Sequence, residues 1–415
     1  MGTVTIDGAT YTLDNAGNGT AKTDQRTAVA TSYGYDNVYQ LLSATQGATT
    51  TESYTYDPVG NRLSSLGVSS YSDNVSNELT STSNASFTYD NNGNTLTKTD
   101  STGTTNYSWD FENRMTSVTL PGSGGTVSFK YDPFGRRIYK SSSSGTSIYA
   151  YDENNLVEET NASGAPVARY TGILDFDQPL AMLRAGTTSY YHADGLSSVT
   201  SLSSSAGALA QTYTFDSFGK LANSSGSLTN PFQYTGREFD TETSLYYYRA
   251  RYYDLTVGRF LSEDPARMDG GTNLYAYVRN SPINFSDPLG LFHVKPGVPF
   301  PNLRLEALLD CIEWQTGLTL NVTSTNEPPP LSPHGPNDPH IRGGGLAVDI
   351  SYPFDPEWVL NGAACCGASY GRNENFNPSA HSNAPHLHLQ LVPGPDPGNP
   401  GGDLPKHPIC KGCTK

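Results

Sequence analysis

The amino-acid sequence predicts a mainly β protein, in which a spiralling antiparallel sheet of short repeats is followed by a small α+β domain. Three observations support this prediction. Only 16% of the 415 residues are charged, while 41 glycines and 27 tyrosines favour strands and tight turns over helical bundles. An aromatic–polar unit recurs as far as residue 220. The composition then changes after residue 291, and all five cysteines lie beyond that point.

The repeated unit alternates aromatic and polar residues and then reaches an aspartate. It occurs as YGYDNVYQL, YTYDPVGNRL, FTYDNNGNTL, YSWDFENRM, FKYDPFGRRI, YAYDENNLV and YTFDSFGKL. A period of two is typical of a strand with one buried face, and Asp followed by Asn, Pro or Gly is typical of a turn. Each unit therefore predicts a hairpin with the tyrosine ring on the sheet and the carboxylate in the turn.

Stacked hairpins of this kind bury one face against their neighbours. Seven units are few for a closed shell, so the sequence leaves two arrangements open. One is an open, partial sheet, and the other is a shell whose larger part lies upstream. A carbohydrate-binding role for exposed aromatic rings is a further possibility.

The charge balance predicts no nucleic-acid partner. The formal net charge is −15, whereas phosphate contacts require clustered lysine and arginine. No apolar run reaches about 18 residues, so we expect no membrane span. The first ten residues lack the basic start and apolar centre of a signal peptide. Because the chain opens inside repeat-like sequence, we expect it to be a fragment of a longer protein.

The segment 246–291 closely resembles the core-terminating segment of Rhs/YD-repeat proteins. It carries RARYYD, GRFLSEDP, GGTNLYAYVRNSP and DPLGL in the order of that family. These proteins are bacterial polymorphic toxins, whose repeat shell carries a variable C-terminal effector. The resemblance implies a shell fragment at 1–245, a core-terminating and self-cleavage segment at 246–291, and an effector at 292–415.

The same resemblance implies self-cleavage after DPLGL, which places the cut bond after Leu291. The family's reaction is attributed to paired aspartates, and two carboxylates held close together share a proton and can act as acid and base. Asp254, Asp264 and Asp287 are available, and we assign the catalytic pair to Asp264 and Asp287. The alternative is that both Asp-Pro dipeptides only form turns. Two nearby arginines can orient the carboxylates: Arg249 and Arg251.

The chain from residue 292 onward contains seven of the eight histidines. LRLEALLDCIEWQTG predicts a helix that ends at Gly317, since its apolar residues recur with helical spacing. LTLNVTS predicts a strand, and APHLHLQLVP predicts another with His386 and His388 on one face. With an upstream histidine and Asp349, these residue types are those that bind Zn²⁺.

The order of these elements resembles the D-alanyl-D-alanine carboxypeptidase family of zinc peptidases, which shares its small α+β fold with the Hedgehog signalling domain. GLAVDI matches the family's G-x-A-x-D-I, and HLH matches its terminal H-x-H. The resemblance implies that Asp349 and His388 bind zinc and that His386 helps to polarise the water or the scissile carbonyl. It further implies hydrolysis of bacterial cell-wall peptides.

The first zinc ligand departs from the family pattern, because Arg342 stands at the position where a histidine is expected. We assign this ligand to His340, and His334 is the alternative. The arginine that holds the substrate carboxylate and the glutamate that serves as general base are also missing. His381 lies near the glutamate's position, and imidazole is suited to base catalysis near neutral pH.

Cysteines confined to one module favour an oxidising compartment such as the periplasm. The sequence therefore predicts a secreted toxin, delivered to the target-cell periplasm or surface, whose zinc-dependent effector cuts wall peptides. Such a toxin implies a secretion apparatus and a cognate immunity protein as partners. Two alternatives remain: a metal-binding module that recognises wall peptides without cutting them, and a repeat-based adhesion or carbohydrate-binding protein.

Overall fold

The computed structural model is built almost entirely of β-strands, which confirms the mainly β prediction. It describes residues 6–171, 178–265 and 272–291, together with the backbone of four strands between residues 321 and 390. A separate α+β domain is not shown, and the helix expected to end at Gly317 lies outside the described residues. In the part of the chain that is described, no helix is long and apolar enough to span a membrane.

The chain divides into two units. The repeat unit comprises residues 1–265 and 273–290, and the C-terminal unit comprises residues 266–272 and 291–415. All strand pairs in both units are antiparallel. The described sheet of the C-terminal unit has the order β27-β28-β30-β29, with β27 Asn321–Ser324, β28 Ala347–Ser351, β29 Tyr370–Asn373 and β30 Leu387–Gln390.

The repeat unit contains three sheets in which sequential strands are neighbours. The first has six strands: β1 Ala9–Leu13, β2 Gly19–Asp24, β3 Ala30–Tyr35, β4 Leu41–Gln46, β5 Thr49–Tyr56 and β6 Arg62–Ser65. The second has sixteen: β7 Tyr71–Asp73, β8 Leu79–Thr82, β9 Ser86–Tyr89, β10 Thr95–Asp100, β11 Gly103–Trp109, β12 Met115–Thr119, β13 Thr126–Tyr131, β14 Arg137–Ser142, β15 Gly145–Asp152, β16 Asn155–Asn161, β17 Pro166–Thr171, β18 Ala181–Arg184, β19 Thr187–Ala193, β20 Val199–Ser204, β21 Leu209–Phe215 and β22 Leu221–Gly226. The third has four: β23 Glu238–Asp240, β24 Leu245–Tyr248, β25 Arg251–Asp254 and β26 Arg259–Phe260. Two 3₁₀ turns flank it, at Tyr234–Gly236 and Val278–Asn280.

Most repeat turns are closed by an aspartate, and two are closed in the same way by Asn74 and Asn161. The Oδ1 atom of Asp90 accepts hydrogen bonds from the backbone N–H groups of Asn92 and Asn94, at 2.9 Å each. These N–H groups have no strand partner, so the carboxylate satisfies them locally. Eight aspartates make the same pair of bonds: Asp14, Asp36, Asp57, Asp90, Asp110, Asp132, Asp194 and Asp216.

In five repeats the aromatic residue before the turn ties the repeat to the one before it. The Tyr131 hydroxyl donates to the Met115 carbonyl at 2.7 Å, and Met115 stands five residues after the previous turn aspartate. The same bond joins Tyr35 to Gly19, Tyr89 to Leu79, Trp109 to Thr95 and Tyr151 to Arg137. The expected structural role of the Tyr–Asp pairs is therefore confirmed.

The first and last repeats contact one another, although they are far apart in sequence. Lys22 forms an ion pair with Asp194 at 2.6 Å, across 172 residues. Glu52 accepts hydrogen bonds from the backbone N–H and the hydroxyl of Ser217, 165 residues away. The first and last repeats therefore meet within the described residues, although their strands belong to separate sheets. The two alternatives, an open partial sheet and a shell whose larger part lies upstream, stay predictions.

The plug segment, which comprises residues 230–265 and 272–290, packs against the buried face of the repeats. Its tyrosines form the largest part of one aromatic core with Leu41, Tyr54 and Phe218. Five plug hydroxyls donate to carbonyls in the repeat turns: Tyr234 to Ser217, Tyr246 to Gly219, Tyr247 to Gly135, Tyr253 to Phe218 and Tyr275 to Gly93. The position of the plug segment therefore depends on where the repeat turns place these carbonyl oxygens.

Buried charges also fasten the plug to the repeats. Arg137 is 1% exposed; its guanidinium contacts Asp240 and lies 3.0 Å from Glu238. Lys140 pairs with Asp240 at 3.1 Å, and Arg249 pairs with Glu238 at 2.7 Å. Burial alone would raise the pKa of Asp240, but Arg137 and Lys140 outweigh burial and hold that pKa below its usual value.

We expect the substitution Arg137→Met to lower the free energy of unfolding by about 3–5 kcal/mol, because it removes one of the two cations that each of the buried carboxylates Asp240 and Glu238 contacts. The neighbouring Arg136→Met is the matched control. Arg136 is 23% exposed and pairs with Asp132, so its loss should cost about 1 kcal/mol or less. Urea denaturation followed by circular dichroism measures both values, and equal losses would contradict this account.

Candidate functional site

The candidate site lies where the plug segment ends, around the side chain of Arg251. Arg251 is the first residue of β25, directly after the two-residue turn that joins it to β24. Arg249 in this turn has a positive φ of 56°. The Arg251 guanidinium is 3% exposed and lies 3.7 Å from the centre of the Phe260 ring. An apolar ring beneath it and polar groups around it fix the plane of the guanidinium.

Arg251 brings the two predicted catalytic aspartates together. Its Nη2 atom lies 2.7 Å from Asp264 Oδ2 and 3.3 Å from Asp287 Oδ2. Both aspartates are buried, at 5% and 3% exposure. Two carboxylates held on one guanidinium are screened from each other's charge, so this arrangement differs from a pair joined by a shared proton alone.

The DPLG strap (Asp287–Gly290) is held to the same arginine by its backbone. Arg251 Nε donates to the Gly290 carbonyl at 2.6 Å, and the Gly290 N–H donates to Asp287 Oδ1 at 2.7 Å. Gly290 has a φ of +73°, and a Cβ at this position would lie 2.5 Å from the Tyr248 carbonyl oxygen. Only glycine fits this backbone position, so the chain is fixed one residue before the predicted cleavage point.

Two further contacts anchor the strap. The Ala250 N–H donates to the Leu289 carbonyl at 3.0 Å, and Arg237 Nη1 donates to the Pro288 carbonyl at 2.8 Å. Sequence reasoning missed Arg237, which lies upstream of the recognised segment. The signal available was an arginine with two acidic residues close after it, between aromatic residues, in YTGREFD.

The third candidate aspartate, Asp254, has different partners from Asp264 and Asp287. Its carboxylate pairs with Lys98 at 2.7 Å and accepts a hydrogen bond from the Thr256 N–H at 2.8 Å. Burial would raise the pKa of Asp254, but Lys98 and Thr256 outweigh burial and lower it. Asp254 is therefore a structural ion-pair partner, and Asp264 and Asp287 are the two that share Arg251.

The backbone of the C-terminal sheet places two of the predicted zinc ligands opposite each other. In the pairing of β28 with β30, Asp349 stands directly across from His388. Carboxylate and imidazole groups are both common zinc ligands, so these two residue types are compatible with a zinc site. His386, His381, His340 and the alternative His334 lie outside the described residues, as do the five cysteines.

The match to known proteins concerns the repeats. The Teneurin YD-shell model matches residues 18–283. The tRNA3(Ser)-specific nuclease WapA of Bacillus spizizenii is 33% identical over 273 residues, which is 62% of this chain and 12% of that protein. The double-stranded DNA deaminase toxin A of Burkholderia cenocepacia is 26% identical over 257 residues, covering 54% of this chain and 17% of that toxin.

A solved structure shows the same fold. The crystal structure of TcdB2–TccC3–Cdc42 matches with a TM-score of 0.57 and 23% identity, over 69% of this chain and 17% of that one. The chain thus spans less than a fifth of the length of these relatives.

The relatives correct one prediction made from the sequence. We expected a cell-wall peptide as the substrate and no nucleic-acid partner, whereas the relatives are a tRNA nuclease and a DNA deaminase toxin. The nucleic-acid part of this expectation was taken from net charge, which an acidic shell dominates whatever the effector does, and the wall-peptide part was taken from the zinc-peptidase resemblance. The zinc-peptidase assignment gains no support from these relatives.

The family model covers well over half of the chain, and its range contains the repeats, the two ends that meet and nearly all of the plug segment. The chain therefore belongs to the Teneurin YD-shell family.

Proposed function

We propose that this chain is part of a polymorphic toxin, in which a YD-repeat shell closed by the plug segment carries an enzymatic C-terminal effector. The observation that supports this most directly is the DPLG strap. It fixes the backbone next to paired carboxylates, at the point where the composition changes.

The chemistry that we propose for the junction is hydrolysis of the bond after Leu291. One carboxylate of the Asp264–Asp287 pair removes a proton from water, whose oxygen attacks the Leu291 carbonyl carbon. The other carboxyl group, protonated at that moment, donates its proton to the leaving nitrogen of Phe292. Arg251 holds the carboxylates and the preceding Gly290 carbonyl, so its role is positioning.

The effector itself we propose to be a metal-dependent enzyme. The facing positions of Asp349 and His388 support a zinc site, which would supply an activated water for hydrolysis. Enzymatic relatives support an enzymatic effector and favour a nucleic-acid substrate. Incubation with tRNA and with double-stranded DNA tests this choice. Products that vanish in Asp349→Ala would support it, and equal product from the variant would contradict it.

We expect the purified 415-residue chain to separate into fragments 1–291 and 292–415, and both Asp264→Asn and Asp287→Asn to remain intact. Each substitution removes one acid–base group and keeps the side-chain size. Asp254→Asn is the matched control, since Asp254 is equally buried but pairs with Lys98. Gel electrophoresis and intact mass measure the cut. Cleavage of either variant at the wild-type rate would contradict the assignment.

We expect Arg251→Lys to slow this cleavage by about tenfold while the chain stays folded, because an ammonium replaces the fork that holds two carboxylates and a carbonyl. The cleaved fraction with time gives the rate, and circular dichroism checks the fold. A pH profile of the rate separates positioning from structure. A lost positioning group should move the profile, and an unchanged profile with an unchanged rate would argue against the role.

We expect the chain to bind about one zinc per molecule and to lose it in Asp349→Ala and in His388→Ala. Metal content by atomic absorption measures this, with His293→Ala as a control outside the predicted ligands. Zinc retained in both variants would exclude these residues as ligands. This test is independent of the cleavage test, because it concerns the C-terminal unit alone.

A further inference from the structure

A cavity of about 270 Å³ lies in the repeat unit, where the first repeats meet the last. Strands β2, β3 and β5 line one side of it, and β21 with the turn that follows lines the other. Aromatic rings form much of the wall, including Tyr213 and Phe215, which stack at 6.0 Å with 14° between their planes. The cavity takes no part in the proposed cleavage or effector chemistry.

The charged residues of the cavity are unbalanced. Four carboxylates line it, from Asp24, Glu52, Asp194 and Asp216, together with two cations, Lys22 and Arg26. Lys22 pairs with Asp194 at 2.6 Å, and Arg26 pairs with Asp24 at 3.0 Å. Among the described residues, no cation lies within ion-pair distance of the other two carboxylates. The cavity therefore carries excess negative charge beside aromatic walls.

Asp216 differs from the other seven turn aspartates in one bond. In those turns the Oδ2 atom accepts a hydrogen bond from a side chain, as Asp90 does from Asn94 at 2.9 Å and Asp132 from Arg136 at 2.7 Å. The same bond is present at Asp14, Asp36, Asp57, Asp110 and Asp194. The residue in the equivalent position after Asp216 is Lys220, which is exposed. Within the described part of the chain, no side chain donates to Asp216 Oδ2.

We propose that this cavity binds a primary alkylammonium group, whose N–H bonds fill the open Oδ2 position of Asp216 while the alkyl chain packs against the aromatic wall. Asp216 Oδ1 already accepts the Phe218 and Lys220 N–H groups, at 3.0 and 2.8 Å. A guanidinium, which pairs best with two parallel oxygens, is therefore a poorer fit. No group of three metal-binding side chains occurs among the described residues, which disfavours a divalent ion here.

The charge of the site depends on pH. Burial, and then the nearby Glu52, raise the pKa of Asp216 to about 7, against the effects of two backbone N–H groups and Arg62. Four buried or partly buried tyrosines also face it: Tyr54, Tyr234, Tyr246 and Tyr253. Only the ionised carboxylate attracts a cation, so affinity should fall by about tenfold between pH 8 and pH 6, as the carboxylate becomes protonated.

Calorimetric titration of the full chain with pentylamine, pentanol and pentanoate tests the proposal, since these probes share a chain length and differ in charge. We expect pentylamine to bind at least about tenfold more tightly than pentanol, and pentanoate to bind least. N-acetyl-lysine methylamide distinguishes the source. Tighter binding than pentylamine would assign the site to a lysine of a peptide, and weaker binding to a free amine. Equal affinity for pentylamine and pentanol would overturn the proposal.

Two variants locate the site. Asp216→Asn keeps the oxygen that closes the turn but removes the charge, and it should reduce pentylamine affinity by about tenfold. Lys220→Asn should have the same effect by a different route, because it recreates the Asp90–Asn94 pairing and fills Oδ2 from within the turn. Asp132→Asn, in a distant turn, should leave the affinity unchanged. Wild-type affinity in both Asp216→Asn and Lys220→Asn would overturn the assignment.

Discussion

The structure of the repeat unit depends on the capture of two turn N–H groups by one aspartate oxygen. In the Asp132 turn these are the N–H groups of Phe134 and Arg136, at 2.9 Å each. Backbone groups in a turn have no strand partner, so the carboxylate supplies the acceptor that these two N–H groups would otherwise find only in water. The hydroxyl of the preceding Tyr131 then reaches the Met115 carbonyl of the previous repeat. The repeats thus stack in a fixed register.

Because the turns are fixed, their carbonyl oxygens stand at defined positions facing the plug segment. Buried tyrosine hydroxyls need acceptors, and the plug supplies donors where the turns supply carbonyls, as Tyr275 does to Gly93 at 2.8 Å. Charged groups follow the same rule. The Arg137 guanidinium is buried beside two carboxylates that pair with it, those of Asp240 and Glu238. A buried ion pair adds little net stability over apolar residues, but a misplaced one is costly. These contacts therefore contribute more to fixing one position of the plug segment than to the overall stability of the fold.

Local features of this molecule could be predicted from the sequence, and long-range ones could not. The turn role of Asp90 follows from side-chain chemistry within five residues, and a period of two identifies the strands. The contact of Lys22 with Asp194 spans 172 residues and depends on curvature accumulated over many strands, which no local pattern records. The Asp264–Asp287 pair was predicted from a resemblance. The sequence did not distinguish Arg249 from Arg251 as the arginine that orients this pair. The structure shows that Arg251 contacts both carboxylates, whereas Arg249 pairs with Glu238.

The position of the paired carboxylates links their assembly to completion of the plug. Arg251 reaches Asp287 across 36 residues, and it also contacts the Leu274 carbonyl, at 3.0 Å, between the two in sequence. Asp264 is itself held by the bond from its N–H to the same carbonyl, at 3.0 Å. Arg251 joins β25 to the segments that carry Leu274 and Asp287, and the Asp264 N–H joins its own segment to Leu274, so none of these contacts exists in an unfolded plug. The carboxylates can therefore come together only after the plug segment itself has folded. A chemical step at this site would therefore wait until the plug segment is complete.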